Sequence, residues 1–168
     1  MKNKLSFTFA FVLLFIPSIL LAWTGKVVSV VDGDTAKVVR SDTHKQVKIR
    51  FAGIDSPEKK MPYGQAAKRY VASLIAGKIV KIEPLTTDRY GRTVGYIWLD
   101  GKEINLDIVK AGYAWVYRKY IPKPKSRGER YLEAEASARR RRAGLWQDSN
   151  PTPPWEWRKA KRMKRKRR

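Results

Sequence analysis

The chain has 168 residues, with 37 lysines and arginines against 15 acids for a formal net charge of +22, and no cysteine. The absence of thiols excludes disulfides, lipid attachment through an N-terminal cysteine, thiol catalysis and Cys-ligated zinc, which leaves the core, with or without a metal, to hold the fold. An apolar content of 43% suffices for one core and predicts a single domain with tails; the charge predicts a polyanionic partner, nucleic acid or anionic membrane, without choosing between them.

Lys2 and Lys4 precede an almost continuous apolar stretch from Leu5 to Ala22. It reads as a secretory signal, residues 1–22, cleaved after Ala22. An uncleaved membrane anchor is the alternative, because the stretch is nearly long enough to span a bilayer. Either way the globular part is expected to be secreted or periplasmic, or held at a membrane if the signal stays. Taking Lys2 and Lys4 from +22 leaves +20.

Gly25 to Val31 and Thr35 to Arg40 are β-rich runs joined by Asp32-Gly33-Asp34, a tight turn by its glycine. Ser41 to His44 turns the chain into Lys45 to Phe51, where Val47, Ile49 and Phe51 point one way and Gln46, Lys48 and Arg50 the other. This predicts a three-stranded meander with acids and Arg50 near one end. His44, the sole histidine, reads as a solvated turn residue, so a hydrolase built on this chain would use a carboxylate as its base.

After Gly53 the chain turns, Pro57 holds Ser56 out of the helical region, and Asp55 and Glu58 stand at the strand's mouth. For an isolated Asp-Ser-Pro-Glu the ordinary reading is a loop with a salt bridge. The Asp32-Gly33-Asp34 cluster changes the balance: a turn needs one aspartate, and the other projects toward Asp55 if the first and third strands are adjacent. Asp34, Asp55 and a carbonyl near Ser56 can supply part of the about six to eight oxygens that calcium takes.

Tyr63 to Ala76 carries Ala67, Tyr70, Val71, Leu74 and Ile75 at spacings of three and four, an amphipathic helix closed by Gly77. Ile79 to Pro84 and Val94 to Leu99 complete five strands. Between them lies the turn Thr87-Asp88-Arg89-Tyr90-Gly91-Arg92-Thr93, which offers a second arginine to a phosphate. Asn105 is expected to cap a short helix, Leu106 to Ala111. Five short antiparallel strands with a helix after the third suggest an α+β, mainly β, architecture: a five-stranded barrel of the oligonucleotide-binding type with about three helices.

Tyr113, Trp115, Tyr117 and Tyr120 are interleaved with Arg118 and Lys119, a composition suited to stacking single-stranded nucleic acid, although two of the four aromatics are expected in the core. Ser126 to Arg142 reads as a helix with Glu129, Glu133 and Glu135 before the arginine run, an order that suits its macrodipole. Residues 150–154 form a stiff proline-rich linker. Trp155 to Arg168 reads as a disordered basic tail, a tether for nucleic acid first and for anionic membrane second, the latter because Trp155 and Trp157 suit a bilayer interface.

From these residues alone comes a metal-assisted site of acids and two arginines on a basic surface, which points to phosphodiester hydrolysis. Val-Asp-Gly-Asp-Thr from Val31, Ile-Arg-Phe-Ala-Gly-Ile-Asp-Ser-Pro-Glu from Ile49 and Asp-Arg-Tyr-Gly-Arg from Asp88, in this order, resemble the thermonuclease family, whose type member is staphylococcal (micrococcal) nuclease. The resemblance spans roughly Trp23 to Trp146 and places the nuclease domain in residues 23–149.

It implies the same barrel, a monomer, and cleavage of DNA and RNA with little sequence preference, leaving 3′-phosphates. It implies Ca²⁺ on Asp34, Asp55 and the Ser56 carbonyl, with Asp32 shaping the site behind them. Glu58 would activate or position the attacking water. Arg50 and Arg92 would clamp the phosphate, and Arg89, Tyr90, Trp115 and Tyr117 would contact nucleic acid. The stretch from Lys59 to Gly64 is shorter than the type member's flexible loop, and Trp115 stands for a tyrosine. The competing expectation is a noncatalytic nucleic-acid-binding module of the same fold. Such modules typically lose the acids or arginines that are all present here.

Overall fold

In the computed structural model, which describes residues 21–167, strand β1 (Trp23–Asp32) pairs antiparallel with β2 (Thr35–Arg40), and β2 with β3 (Gln46–Phe51). The signal segment expected over residues 1–22 lies almost entirely outside the described residues. A two-residue strand, β4 (Ile54–Asp55), is followed by helix α1 (Gly64–Ile75), then by β5 (Ile79–Thr87) and β6 (Thr93–Leu99). Short β7 (Lys102–Glu103) leads into α2 (Ile104–Lys110), and β8 (Trp115–Val116) returns to pair with β4. Helices α3 (Lys125–Arg140) and α4 (Pro154–Lys166) complete the chain.

The strand order is β3-β2-β1-β5-β6-β7, and a parallel pairing of β3 with β6 closes it: Ile49 faces Thr93, Arg50 faces Val94 and Phe51 faces Gly95. Five strands therefore make a closed barrel that leaves no long free edge. Register shifts in β1 between Val27 and Ser29 and between Val30 and Asp32, and in β5 between Pro84 and Thr86, bend the strands around the barrel. Pro84 is tolerated in β5 beside such an irregularity, where a missing N–H costs least.

Alternation along the strands fills the interior with Val27, Val38, Ile49, Phe51, Val80, Ile82 and Ile97, all 1% exposed or less. Val71 and Ile75 of α1, Ile108 and Val109 of α2 and Tyr131 of α3 join the same core. A second cluster, Trp115, Ala138, Leu145 and Trp146, fastens α3 and the following turn to the barrel.

Three expectations are corrected. Asn105 caps nothing: it lies inside α2, fully buried, with its Oδ1 accepting from the Ile97 N–H and its Nδ2 donating to the Ala52 and Gly95 carbonyls. The first and third strands are not neighbours, because β2 lies between them. Finally, the expected disordered tail is helix α4, a fourth helix where about three were expected. Among the described residues no helix is long and apolar enough to cross a membrane.

Candidate active site

The site forms where the β1–β2 turn meets the end of β3 and β4. Thr35 pairs with Arg50 in the β2–β3 ladder, and the Phe51 N–H donates to the Asp34 carbonyl at 2.8 Å, so Asp34 is carried to the mouth of β3 through β2. Gly33 makes this approach possible. A Cβ there would lie 2.7 Å from Ser56 Oγ and 2.8 Å from Ala67 Cβ, so its role is close contact with the loop after β4 rather than a left-handed φ.

Arg50 is the hub. Its Nη1 lies 2.8 Å from Asp34 Oδ2 and its Nη2 2.9 Å from Asp55 Oδ1. Asp34 also accepts from the Ser56 N–H at 2.7 Å and from Thr35 Oγ1 at 3.0 Å, while Asp32 Oδ1 accepts from the Asp34 N–H at 3.2 Å. Ser56 is buried and its hydroxyl donates to the Tyr113 carbonyl at 2.9 Å, which ties the side chain to the loop before β8.

Burial governs the electrostatics. Desolvation, then the charge of Asp34, raises the Asp32 carboxyl to about 7. Desolvation also raises Asp55, with Asp34 adding to it and Arg50 and Arg158 opposing. The donor set, two carboxylates and a backbone carbonyl, is oxygen only, which suits a hard divalent ion such as Ca²⁺. Among the described residues no group of three or more His, Cys, Asp or Glu stands together as a cage. Two carboxylates and a carbonyl therefore fit such an ion only with water completing its coordination.

Glu58 differs from these acids in being 44% exposed. The short loop positions it: Gly64 opens α1 so close to the Glu58 carbonyl that any Cβ at that position would collide with it. The Met61 N–H donates to the same carbonyl at 2.8 Å. Sequence reading missed Gly64; its cue is a glycine at the first position of a helix, where conformational freedom alone gives no reason for one.

Arg92 is not drawn into the acidic cluster. It is held on the β5–β6 hairpin by Asp88, with Nη2 and Nε each 2.7 Å from Asp88 Oδ2. The β3–β6 seam nevertheless places the adjacent Thr93 opposite Ile49, next to Arg50 in the strand. Tyr90 is 68% exposed at the hairpin tip, with the guanidinium groups of Arg89 and Arg92 at 5.0 and 5.6 Å from its ring centre.

Of the four aromatics expected to divide evenly, only Trp115 is buried; Tyr113 is half-buried against the core. Trp115 is buried against Trp146 and Trp155 and so offers no open stacking face, whereas Tyr117 is half-buried and Tyr120 exposed. The unforeseen member of the site is Arg158 of α4. Its Nη2 lies 2.6 Å from Asp55 Oδ2 and its Nη1 3.4 Å from Glu58 Oε1. Trp155, one turn earlier, stacks on Tyr117 with ring centres 5.9 Å apart. No local periodicity signals this, because the partners lie about a hundred residues away.

Comparison with known proteins agrees with this geometry. Residues 48–148 match the family model described as staphylococcal nuclease homologue. A protein of Escherichia coli O157:H7 named "Uncharacterized endonuclease" is 44% identical over 138 residues, covering 82% of this chain and 86% of the relative. A Haemophilus influenzae protein of the same name is 36% identical over 140 residues, 83% of this chain and 75% of the relative. The "Staphylococcal-like nuclease CAN1" of Arabidopsis thaliana is 45% identical over 118 residues, 70% of this chain but 35% of that longer protein.

Proposed function

The chain belongs to the staphylococcal nuclease family, and from that nuclease-type function we propose a secreted or periplasmic, Ca²⁺-dependent endonuclease that hydrolyses DNA and RNA with little sequence preference and leaves 3′-phosphate ends. The observation that carries the finer reading is Arg50 bridging two buried carboxylates, Asp34 at 2.8 Å and Asp55 at 2.9 Å, beside the exposed Glu58. Burying charges costs desolvation, which weighs toward a site that uses them over a noncatalytic binding module.

In this reading Asp34, Asp55 and the Ser56 carbonyl hold Ca²⁺, and Asp32 orients Asp34 through its backbone N–H. When bound, the ion supplies Lewis-acid polarisation of a phosphoryl oxygen. Glu58, exposed and so free to reach water, accepts the proton of the attacking water. Arg50 donates to the phosphoryl oxygens from a fixed position. Arg92 exchanges Asp88 for phosphate and adds a second forked donor to the charge that develops. Tyr90 and Arg89 at the hairpin tip meet the nucleotide backbone, and Tyr117 offers a ring to a base, contacts that tolerate any sequence.

Degradation of single-stranded DNA and RNA by the purified protein tests this. Cleavage should vanish in chelator and return with Ca²⁺, and Glu58→Gln or Arg92→Ala should each lower kcat by about 10²- to 10³-fold. Tight binding of DNA without cleavage under any divalent ion would replace the enzyme with the binding module.

A further inference from the structure

Helix α4 docks through one face. Its first residue, Pro154, is buried. Trp155 lies nearly parallel to the Tyr117 ring, at 7°, and edge-on to Trp115, with centres 6.4 Å apart. Three residues further along, and therefore on the same side of the helix, Arg158 reaches both oxygens of Asp55, at 2.6 and 3.3 Å, and Glu58 Oε1 at 3.4 Å. Lys159, Lys161, Lys164 and Arg165 are exposed.

We propose that α4 is a built-in occupant of the catalytic cleft: the Arg158 guanidinium sits where a divalent cation would bridge Asp55 and the water near Glu58, and the Trp155 indole sits where a nucleic-acid base would stack on Tyr117. The inference rests on the metal-dependent reading of the site. Arg158 places an N–H on each Asp55 oxygen, at 2.6 and 3.3 Å, beside the one that Arg50 already places on Oδ1, so Ca²⁺ at this carboxylate would lose acceptor sites to Arg158 and meet its positive charge at close range. Arg158 and the ion are therefore competitors for one carboxylate. The same exclusion holds for a base and Trp155 on one face of Tyr117. The exposed cations of α4 attract the polyanion, so a nucleic-acid strand draws the helix off the cleft while it enters. Because ion and strand each remove the same helix, each strengthens the binding of the other. Residues 150–153, which precede the helix, are the tether about which α4 moves.

The test compares full-length protein with full-length Arg158→Ala and Arg158→Gln, reading Ca²⁺ affinity by calorimetry and amide exchange of residues 154–166 by mass spectrometry. Both variants should bind Ca²⁺ about 5- to 50-fold more tightly than wild type, and saturating Ca²⁺ should speed exchange across α4 in the wild type. A nuclease-resistant phosphorothioate oligonucleotide should raise the wild-type Ca²⁺ affinity by a similar factor and that of the variants by less. Equal Ca²⁺ affinity in all three proteins would leave the metal reading intact and overturn the plug. The plug would also be overturned if the variants lost kcat without gaining Ca²⁺ affinity, since Arg158 would then be a phosphate contact. If none of the three binds Ca²⁺, the metal reading fails and the competition fails with it.

Discussion

Arg50 shows how one side chain sets the character of a site. Asp34 and Asp55 are 6% and 1% exposed; without the guanidinium between them Asp34 would be a buried charge with no cationic partner, and Asp55 would keep only Arg158. Arg50→Ala should therefore destabilise the Ca²⁺-free protein by about 3 to 5 kcal/mol, the range for stripping one partner from a buried ion pair. Urea unfolding in chelator measures the loss, and added Ca²⁺ should recover part of it by replacing the missing positive charge. Alternation in Lys45 to Phe51 already places Arg50 opposite the apolar residues, and the three ordered motifs single out Asp34, Asp55, Glu58 and Arg92. Their mutual distances are a different matter. Arg92 proves to be paired with Asp88, four residues earlier in the same turn, and Arg50 with both aspartates, the pairing with Asp34 depending on how β2 and β3 bring separate parts of the chain together.

At the level of elements, α3 fastens the segment that carries the aromatic residues. Glu135, buried on α3, accepts the Val116 N–H at 2.9 Å and pairs with Arg118 at 2.6 Å, which holds β8 against β4 and so braces Asp55 opposite Trp115. The charge order along the helix predicts Glu135 only as a macrodipole partner; its burial makes it a strut. Glu135→Ala should cost about 3 kcal/mol, because it strands a backbone N–H and leaves its arginines without an acceptor. Amide exchange at Val116 and Tyr117 should rise with it while the β1–β2–β3 ladder stays protected; uniform change across the barrel would refute the local role. Helix α4 is the converse case. Its composition is too polar to order the segment alone, and what orders it is docking of Pro154, Trp155 and Arg158 onto the rest of the molecule.

For the whole molecule the dominant quantity is the net charge of +22. It predicts salt-sensitive association with nucleic acid, with a slope of about −0.7 in log–log form per phosphate neutralised on a single strand. Replacing Lys159, Lys161, Lys164 and Arg165 together by glutamine should flatten that slope by about 2 to 3, read from oligonucleotide binding at several salt concentrations in chelator. An unchanged slope would mean that α4 takes no part in the footprint.

The division between what was legible in the chain and what was not follows the range of the forces. Hydrophobic periodicity, turn residues and the three ordered motifs are local, so the sequence by itself determined the mainly β barrel, the helix after the third strand, the family resemblance and the excess of basic residues. The closure of the barrel by parallel β3 and β6, Asn105 as a buried strut rather than a cap, Trp115 as core rather than platform, and Arg158 among the acids were decided only by tertiary structure. Each depends on a contact between residues far apart in the chain. Burial and pairing of that kind override the local propensity that a sequence displays.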